Sequence, residues 1–240
     1  MRSCLCLLCG AVALLLPLPA MSFCNVPQPR LVCAEYFASQ LVVEATLVQT
    51  RELHDIDDPE GISAFVYTLR VKRVLRGTVA GTIRVHEGND SGRATFDWVE
   101  GREYLLFLFQ SAEQKGAWAL DGCGNSGPLS KAAMALSEIA EIKKARGSGV
   151  IHGVVSEQAL STPVAGVHVE AWGPMGRYAA TTNEKGEFQI NVPAGRYIVG
   201  AVESGFNAAD ISYEHLRDIQ IDPGGCAQVQ LVRVESPPAP

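Results

Sequence analysis

Two stretches set a serine among small turn-forming residues in a way that could hold a nucleophile: DGCGNSGPL around Ser126 and EGNDSGRA around Ser91. A serine hydroxyl attacks only when a histidine takes its proton and a carboxylate orients that histidine. The first half of the chain offers two histidines, His54 in an acidic loop and His86 on a strand. Asn, Asp, Ser and Gly are also the ordinary residues of tight turns. Gly88-Asn-Asp-Ser-Gly92 therefore reads as a turn between strands, and Ser126 as part of a turn or helix cap. Neither serine is expected to be catalytic, and the chain is not expected to be an enzyme.

Metal chemistry has a similar standing. HDIDDPE (54–60) clusters four carboxylates with a histidine, but it lacks the glycine and the regular spacing of a calcium loop. A solvated acidic hairpin tip is the simpler reading. Glu214-His215-Leu-Arg-Asp218 places His and Asp three apart with no third ligand, and His152 and His168 read as half-buried sheet residues. No metal or other cofactor is expected. Trp98, Trp118 and Trp172 could form a sugar-stacking platform, although tryptophans spread along a chain are more often core or hairpin residues.

The cysteines carry more information. MRSCLCLLCGAVALLLPLPA has one positive charge, an apolar run from Leu5 to Leu16 and a Pro17-Leu18-Pro19-Ala20 break, the order of a secretory signal peptide over residues 1–22. Cleavage after Ser22, or after Ala20, removes Cys4, Cys6 and Cys9. Cys24, Cys33, Cys123 and Cys226 remain. An even count in an exported chain argues for disulfides, with three connectivities open. None lies in a CxxC or beside histidines at zinc-finger spacing. A secreted or periplasmic protein is expected. Its formal charge of −6, without basic runs, argues against nucleic acid and anionic membranes as partners, and no later stretch could span a membrane.

The elements that must position these residues are mostly strands. LVVEATLVQT (41–50), AFVYTLRVKRVLRG (64–77), TIRVHEG (82–88), REYLLFLFQ (102–110) and AWALDG (117–122) are β-branched and aromatic, with glycine-bearing turns between them. A short helix is expected over 30–39. An amphipathic helix is expected over LSKAAMALSEIAEIKKAR, with Leu129, Ala132, Leu136, Ile139 and Lys143 on one face. Gly147-Ser148-Gly149 reads as a linker. Beyond it, seven short strands at roughly ten-residue spacing suggest a β-sandwich over 150–235, followed by a disordered tail over 236–240.

TTNEKGEFQINVPAGRYIVGAVESGF (181–206) resembles the carboxypeptidase regulatory-like, or transthyretin-like, sandwich through Asn183, Gly186, Phe188, Pro193, Ala194, Gly195 and Tyr197. In that family the module is usually a non-catalytic appendage. Residues 23–146 resemble the netrin-like module of tissue inhibitors of metalloproteinases. The likeness rests on the early pair Cys24 and Cys33, on LVVEATLV, YTLRVKRVLRG and WVEGREYLLFLF, and on Cys123 after the last strand. The resemblance implies a mainly β chain, with a five-stranded OB-type barrel closed by a C-terminal helix and then a seven-stranded sandwich. It also implies that Cys24 pairs with Cys123, which leaves Cys33 and Cys226 either to clamp the two domains or to remain thiols.

Three functions follow from these readings. The leading one is an exported non-catalytic binding or scaffold protein whose partner is an unknown protein or envelope component. The second is metalloprotease inhibition, with Phe23, Cys24, Asn25 and Val26 as the partner-contacting wedge. Cleavage after Ser22 leaves Phe23 ahead of Cys24, so the cysteine amine would not be free to chelate zinc. An enzyme of unrecognised class is the third. The pairing of these two modules behind a leader suggests a bacterial envelope or secreted protein.

Overall fold

LVV and YLLFL are continuous apolar runs because both faces of those strands are buried. On β1 (Leu41–His54), Leu41, Val43, Ala45 and Leu47 point into one core while Val42 points into another. On β4 (Glu103–Gln110), Tyr104, Leu106 and Leu108 join the first core, and Leu105 and Phe107 the second. Successive side chains alternate across a strand. An unbroken run therefore means a strand sandwiched between two apolar layers. The computed structural model that shows this describes residues 30–55, 57, 60–90, 92–144, 147–157, 162–202, 206–209 and 218–233, with backbone alone at 206–209 and 233. The expected leader, Phe23 to Val26, Ser91, Glu214, His215 and the tail lie outside the described residues.

β1 pairs antiparallel with β2 (Ile62–Arg76), and β2 with β3 (Thr82–Gly88). β3 meets β5 (Trp118–Ala119) in parallel at Val85 and Trp118, β5 meets β4, and β4 returns to β1 over Leu41–Thr46. The pairings thus run in a ring, β1-β2-β3-β5-β4-β1. Register shifts along β1, at Val42/Val43, Glu44/Ala45 and Leu47/Gln49, supply the bending such a path needs. Tyr67, Phe96, Trp98 and Tyr104 fill one region of this core, with Tyr67 and Trp98 stacked at 4.4 Å. Burial, and then the nearby Glu87 carboxylate, push the Tyr67 phenol up to about 12.

The second core lies under two helices, α1 (Val32–Ala38) and α2 (Ala133–Ile142), with Tyr36, Ala132 and Ile139 packed on Val42, Leu105 and Phe107. α2 is shorter than the helix expected over 129–146. Leu129–Lys131 form a 3-10 turn, and Ala132, at φ −90° and ψ 9°, stands between the two. Just before it, β6 (Gly127–Pro128) adds a two-residue pairing to β4 that the sequence did not suggest.

The described residues between 149 and 233 form two four-stranded sheets around a third core that includes Ile151, Val169, Phe188, Tyr197, Ile221 and Leu231. One sheet runs β10 (Glu187–Val192), β7 (Gly149–Glu157), β14 (Cys226–Arg233), β12 (Phe206–Ala209). The other runs β13 (Ile219–Ile221), β11 (Gly195–Ala201), β8 (His168–Gly173), β9 (Gly176–Thr181). Among the described residues there are eight strands here rather than the expected seven, because 206–209 pairs with β14. Gly149, expected in a linker, is the first residue of β7. A Cβ there would collide with Ile221 and the Gly225 carbonyl, so only glycine lets the strands approach. Asn183-Glu-Lys-Gly186 forms the expected turn. Asn183 Oδ1 accepts from the N–H groups of Lys185 and Glu187 at 2.9 and 3.0 Å, and Gly186 supplies φ +71°. No core cluster among the described residues mixes the two halves of the chain.

Candidate functional site

The halves meet at α1. Its sequence, VCAEYFA, follows Leu31, which has no side chain able to cap the helix. The first N–H groups of a helix need partners, and here they come from distant elements. Leu31 donates to Gln228 Oε1 on β14 at 3.0 Å, and Cys33 to Glu138 Oε1 on α2 at 3.2 Å. Cys33 is also bonded to Cys226 at the start of β14, with their Cα atoms 5.7 Å apart. The bond closes a loop of 193 residues, for which the chain-entropy model gives about 5 kcal/mol of stabilisation.

The inward side of α1 carries Glu35, only 3% exposed. Its Oε2 accepts from the backbone N–H and the Nδ2 of Asn125 at 2.6 and 2.7 Å. Asn125 Nδ2 also donates to the Arg30 carbonyl at 2.9 Å, while the Arg30 guanidinium pairs with Asp121. Asp121 Oδ1 accepts from the Cys123 N–H at 2.8 Å. Burial raises the Glu35 pKa above its ordinary value, against the opposing pull of the Asn125 hydrogen bonds and Arg30. Gly124 is required at its position because a Cβ would overlap Glu35 Oε1. Cys123 is itself held in a disulfide. The expected partner, Cys24, lies outside the described residues.

Arg76, from the end of β2, closes the other end of α1. It donates through Nε to the Ser39 carbonyl at 3.0 Å and through Nη2 to the Phe37 carbonyl at 3.2 Å. Its guanidinium lies 5.4 Å from the Tyr36 ring centroid and 5.3 Å from that of Phe37. Nη2 also stands 3.7 Å from Asp222, beyond β13. Between the halves lies a cavity of about 360 Å³ whose walls include Arg30, Phe37, Arg76, Ile219, Asp222 and Gln228. Arg30 and Arg76 stand on one wall and Asp222 and Gln228 on the other, within a lining that is mostly apolar.

The other sequence candidates have structural roles or stand apart. Ser126 Oγ accepts the Phe107 N–H of β4 at 2.9 Å, so it pins a strand rather than capping a helix. His86 is buried on β3, with Nδ1 3.4 Å from Glu113. His54 is exposed, 4.0 Å from Glu52. At the acidic tip, Asp55 Oδ1 accepts the Asp57 N–H at 2.9 Å, and no group of three metal-binding side chains converges among the described residues. His168 is exposed rather than half-buried, 3.7 Å from Glu170. His152 is half-buried on β7 between Gln189 of β10 and Gln228 of β14, and burial lowers its pKa despite Glu138 nearby. Trp98 and Trp118 pack against the ring's core, and Trp98 Nε1 donates to Glu87 at 2.9 Å. Sequence reasoning missed Glu35, Asn125 and Arg76. Nothing local marks them, because each acts on a residue tens of positions away.

No family model matches this sequence, and no curated protein matches it. Among solved structures it is similar to the TIE protein of Bacillus anthracis, with 12% identity over 82% of this chain and 31% of that one and a TM-score of 0.28. It is also similar to BcpA, the major pilin subunit of Bacillus cereus, with 10% identity over 82% and 59% of the two chains and a TM-score of 0.30. GBS52, the minor pilin of Streptococcus agalactiae, gives 15% identity over 84% and 86% and a TM-score of 0.28. The chain spans under a third of the first of these proteins and about three fifths of the second. At such TM-scores the likenesses carry no argument about function.

Proposed function

We propose that this is an exported, non-catalytic binding or scaffold protein in which two β-modules are held as one body, with the cleft beside α1 between them. The observation that carries this reading is the Cys33–Cys226 bond, which joins the first helix of one half to the last strand of the other. A bond of that kind persists in an oxidising compartment, in keeping with the leader-like residues 1–22. The strand ring β1-β2-β3-β5-β4 supports an OB-type barrel over 23–146 of the netrin-like kind, and the two facing four-stranded sheets support a transthyretin-like sandwich after it. Cys24 is the proposed partner of Cys123. No observation favours metalloprotease inhibition, since Cys33 of the early pair serves the second module.

Expression with residues 1–22 in a bacterial host, fractionation and N-terminal sequencing test the proposal. The expected product is extracytoplasmic, begins at Phe23 or Met21, and contains no free thiol. Retention in the cytoplasm with the leader intact, or four free thiols in exported protein, would overturn it.

A further inference from the structure

Trp172 differs in placement from the other two tryptophans. On β8, Val169 and Ala171 are fully buried, so Glu170 and Trp172 face outward. On β11, Tyr197 and Val199 are buried, so Arg196, Ile198 and Gly200 face outward as well. Trp172 stands directly opposite Ile198 on one side and Arg177 of β9 on the other. Arg196 is its diagonal neighbour, at roughly 7–8 Å, within reach of long side chains.

Gly200 sets the pose of the indole. A Cβ there would lie 3.1 Å from Cζ3 and 3.3 Å from Cη2 of Trp172. The six-membered ring therefore rests on the glycine backbone, laid against the sheet. Ile198 and Val202 extend the face with 48% and 56% exposure. Arg177 and Arg196 are both exposed, and neither has an ionic or hydrogen-bond partner among the described residues. Two acids of the described residues lie on this side of the sheet, Glu170, 3.7 Å from His168, and the exposed Asp218 just before β13. On a chain of net charge −6, two cations that are without partners among the described residues thus bracket one aromatic ring.

We infer that this face, centred on Trp172 over Gly200 and flanked by Arg177 and Arg196, binds a uronic-acid polysaccharide. The apolar face of a sugar ring stacks on the indole, and each guanidinium takes a carboxylate with its paired N–H donors. Strands lie about 4.8 Å apart, so the row Arg177-Trp172-Ile198 spans about 10 Å, the length of two pyranose rings. Peptides recognised by a sheet add to its edge, whereas Trp172 sits on an interior strand. A neutral glycan would leave both arginines unused. The inference deepens the reading of the protein as an exported binding module, but its test is independent of export.

Calorimetric titration of the purified full chain with oligogalacturonate, and with its methyl ester as the uncharged counterpart, tests the site. The acid form is expected to bind, and the ester at least about tenfold more weakly, as loss of charge-assisted contacts requires. Trp172→Ala should weaken binding at least about tenfold while melting cooperatively, and Trp172→Phe should retain most of it. Arg177→Gln and Arg196→Gln should each weaken the acid form and leave the ester unchanged. Absence of binding to the wild type, or equal binding by Trp172→Ala, would overturn the inference. So would polyglutamate binding as tightly as oligogalacturonate, since charge alone would then suffice. A flat titration would leave the export result untouched, and failed export would leave the titration untouched.

Discussion

Glu35 Oε2 accepts two hydrogen bonds from Asn125, ninety positions further along the chain, and so fastens α1 to the loop that follows β5. The folded state holds the Glu35 proton to higher pH than the unfolded chain, because burial penalises the carboxylate. Its contribution is therefore greatest below the ordinary glutamate value of 4.5 and declines as pH rises through the folded value. Glu35→Gln is expected to flatten that slope in urea unfolding between about pH 4 and 8. Glu35→Ala, which leaves the Asn125 donors unpaired, is expected to cost about 2–3 kcal/mol at neutral pH. An unchanged slope in Glu35→Gln would contradict this assignment.

His152 gives the opposite trend. Burial lowers its pKa, so its contribution is complete above the ordinary value of 6.5 and is lost as pH falls through the folded value. Gln189 and Gln228 flank it, and Glu138 of α2 draws the other way. As pH falls below 6.5, the melting temperature of the wild type is expected to drop relative to that of His152→Gln. A difference between the two proteins that stays constant, or shifts in favour of the wild type, as pH falls would be evidence against this environment.

Gly124→Ala tests packing rather than charge. No positive φ is involved at this glycine, so the penalty is the collision of the new methyl with Glu35 Oε1. Overpacking of this kind costs about 1–3 kcal/mol. In the Glu35→Ala background the same substitution should cost much less, and a double-mutant cycle measures the difference.

Ser126→Ala removes the acceptor of the Phe107 N–H in a buried strand. The expected cost is about 1–2 kcal/mol. A fluorophosphonate probe should leave Ser126 unlabelled in the wild type, and specific labelling would reinstate a nucleophile.

The strands were legible because burial writes itself into local pattern. LVVEATLVQT and REYLLFLFQ read as strands from their β-branched and aromatic residues, although burial of both faces emerged only in the structure. β3 runs over the very residues 82–88 read as a strand. The start of α1 was not so legible. It lacks a capping residue, since its N–H groups are served by Gln228 and Glu138 from elements 105 to 197 positions distant. Glu35 looked like any helix carboxylate until Asn125 was brought against it. The three tryptophans could not be separated by type. Strand parity and the missing Cβ of Gly200 place Trp172 outside, whereas a hydrogen bond to Glu87 holds Trp98 within. Distant pairings leave no local trace in composition or spacing.

Cys33 and Cys226 join the halves of the molecule. Tryptic digestion without reductant, followed by mass spectrometry, tests it most directly. Residues 31–51 and 218–233 are expected as one cross-linked species that separates on reduction, with Cys123 also absent from the free-thiol pool. Recovery of residues 218–233 with an alkylated Cys226 from unreduced protein, or cross-linked instead to residues 116–131, would contradict it.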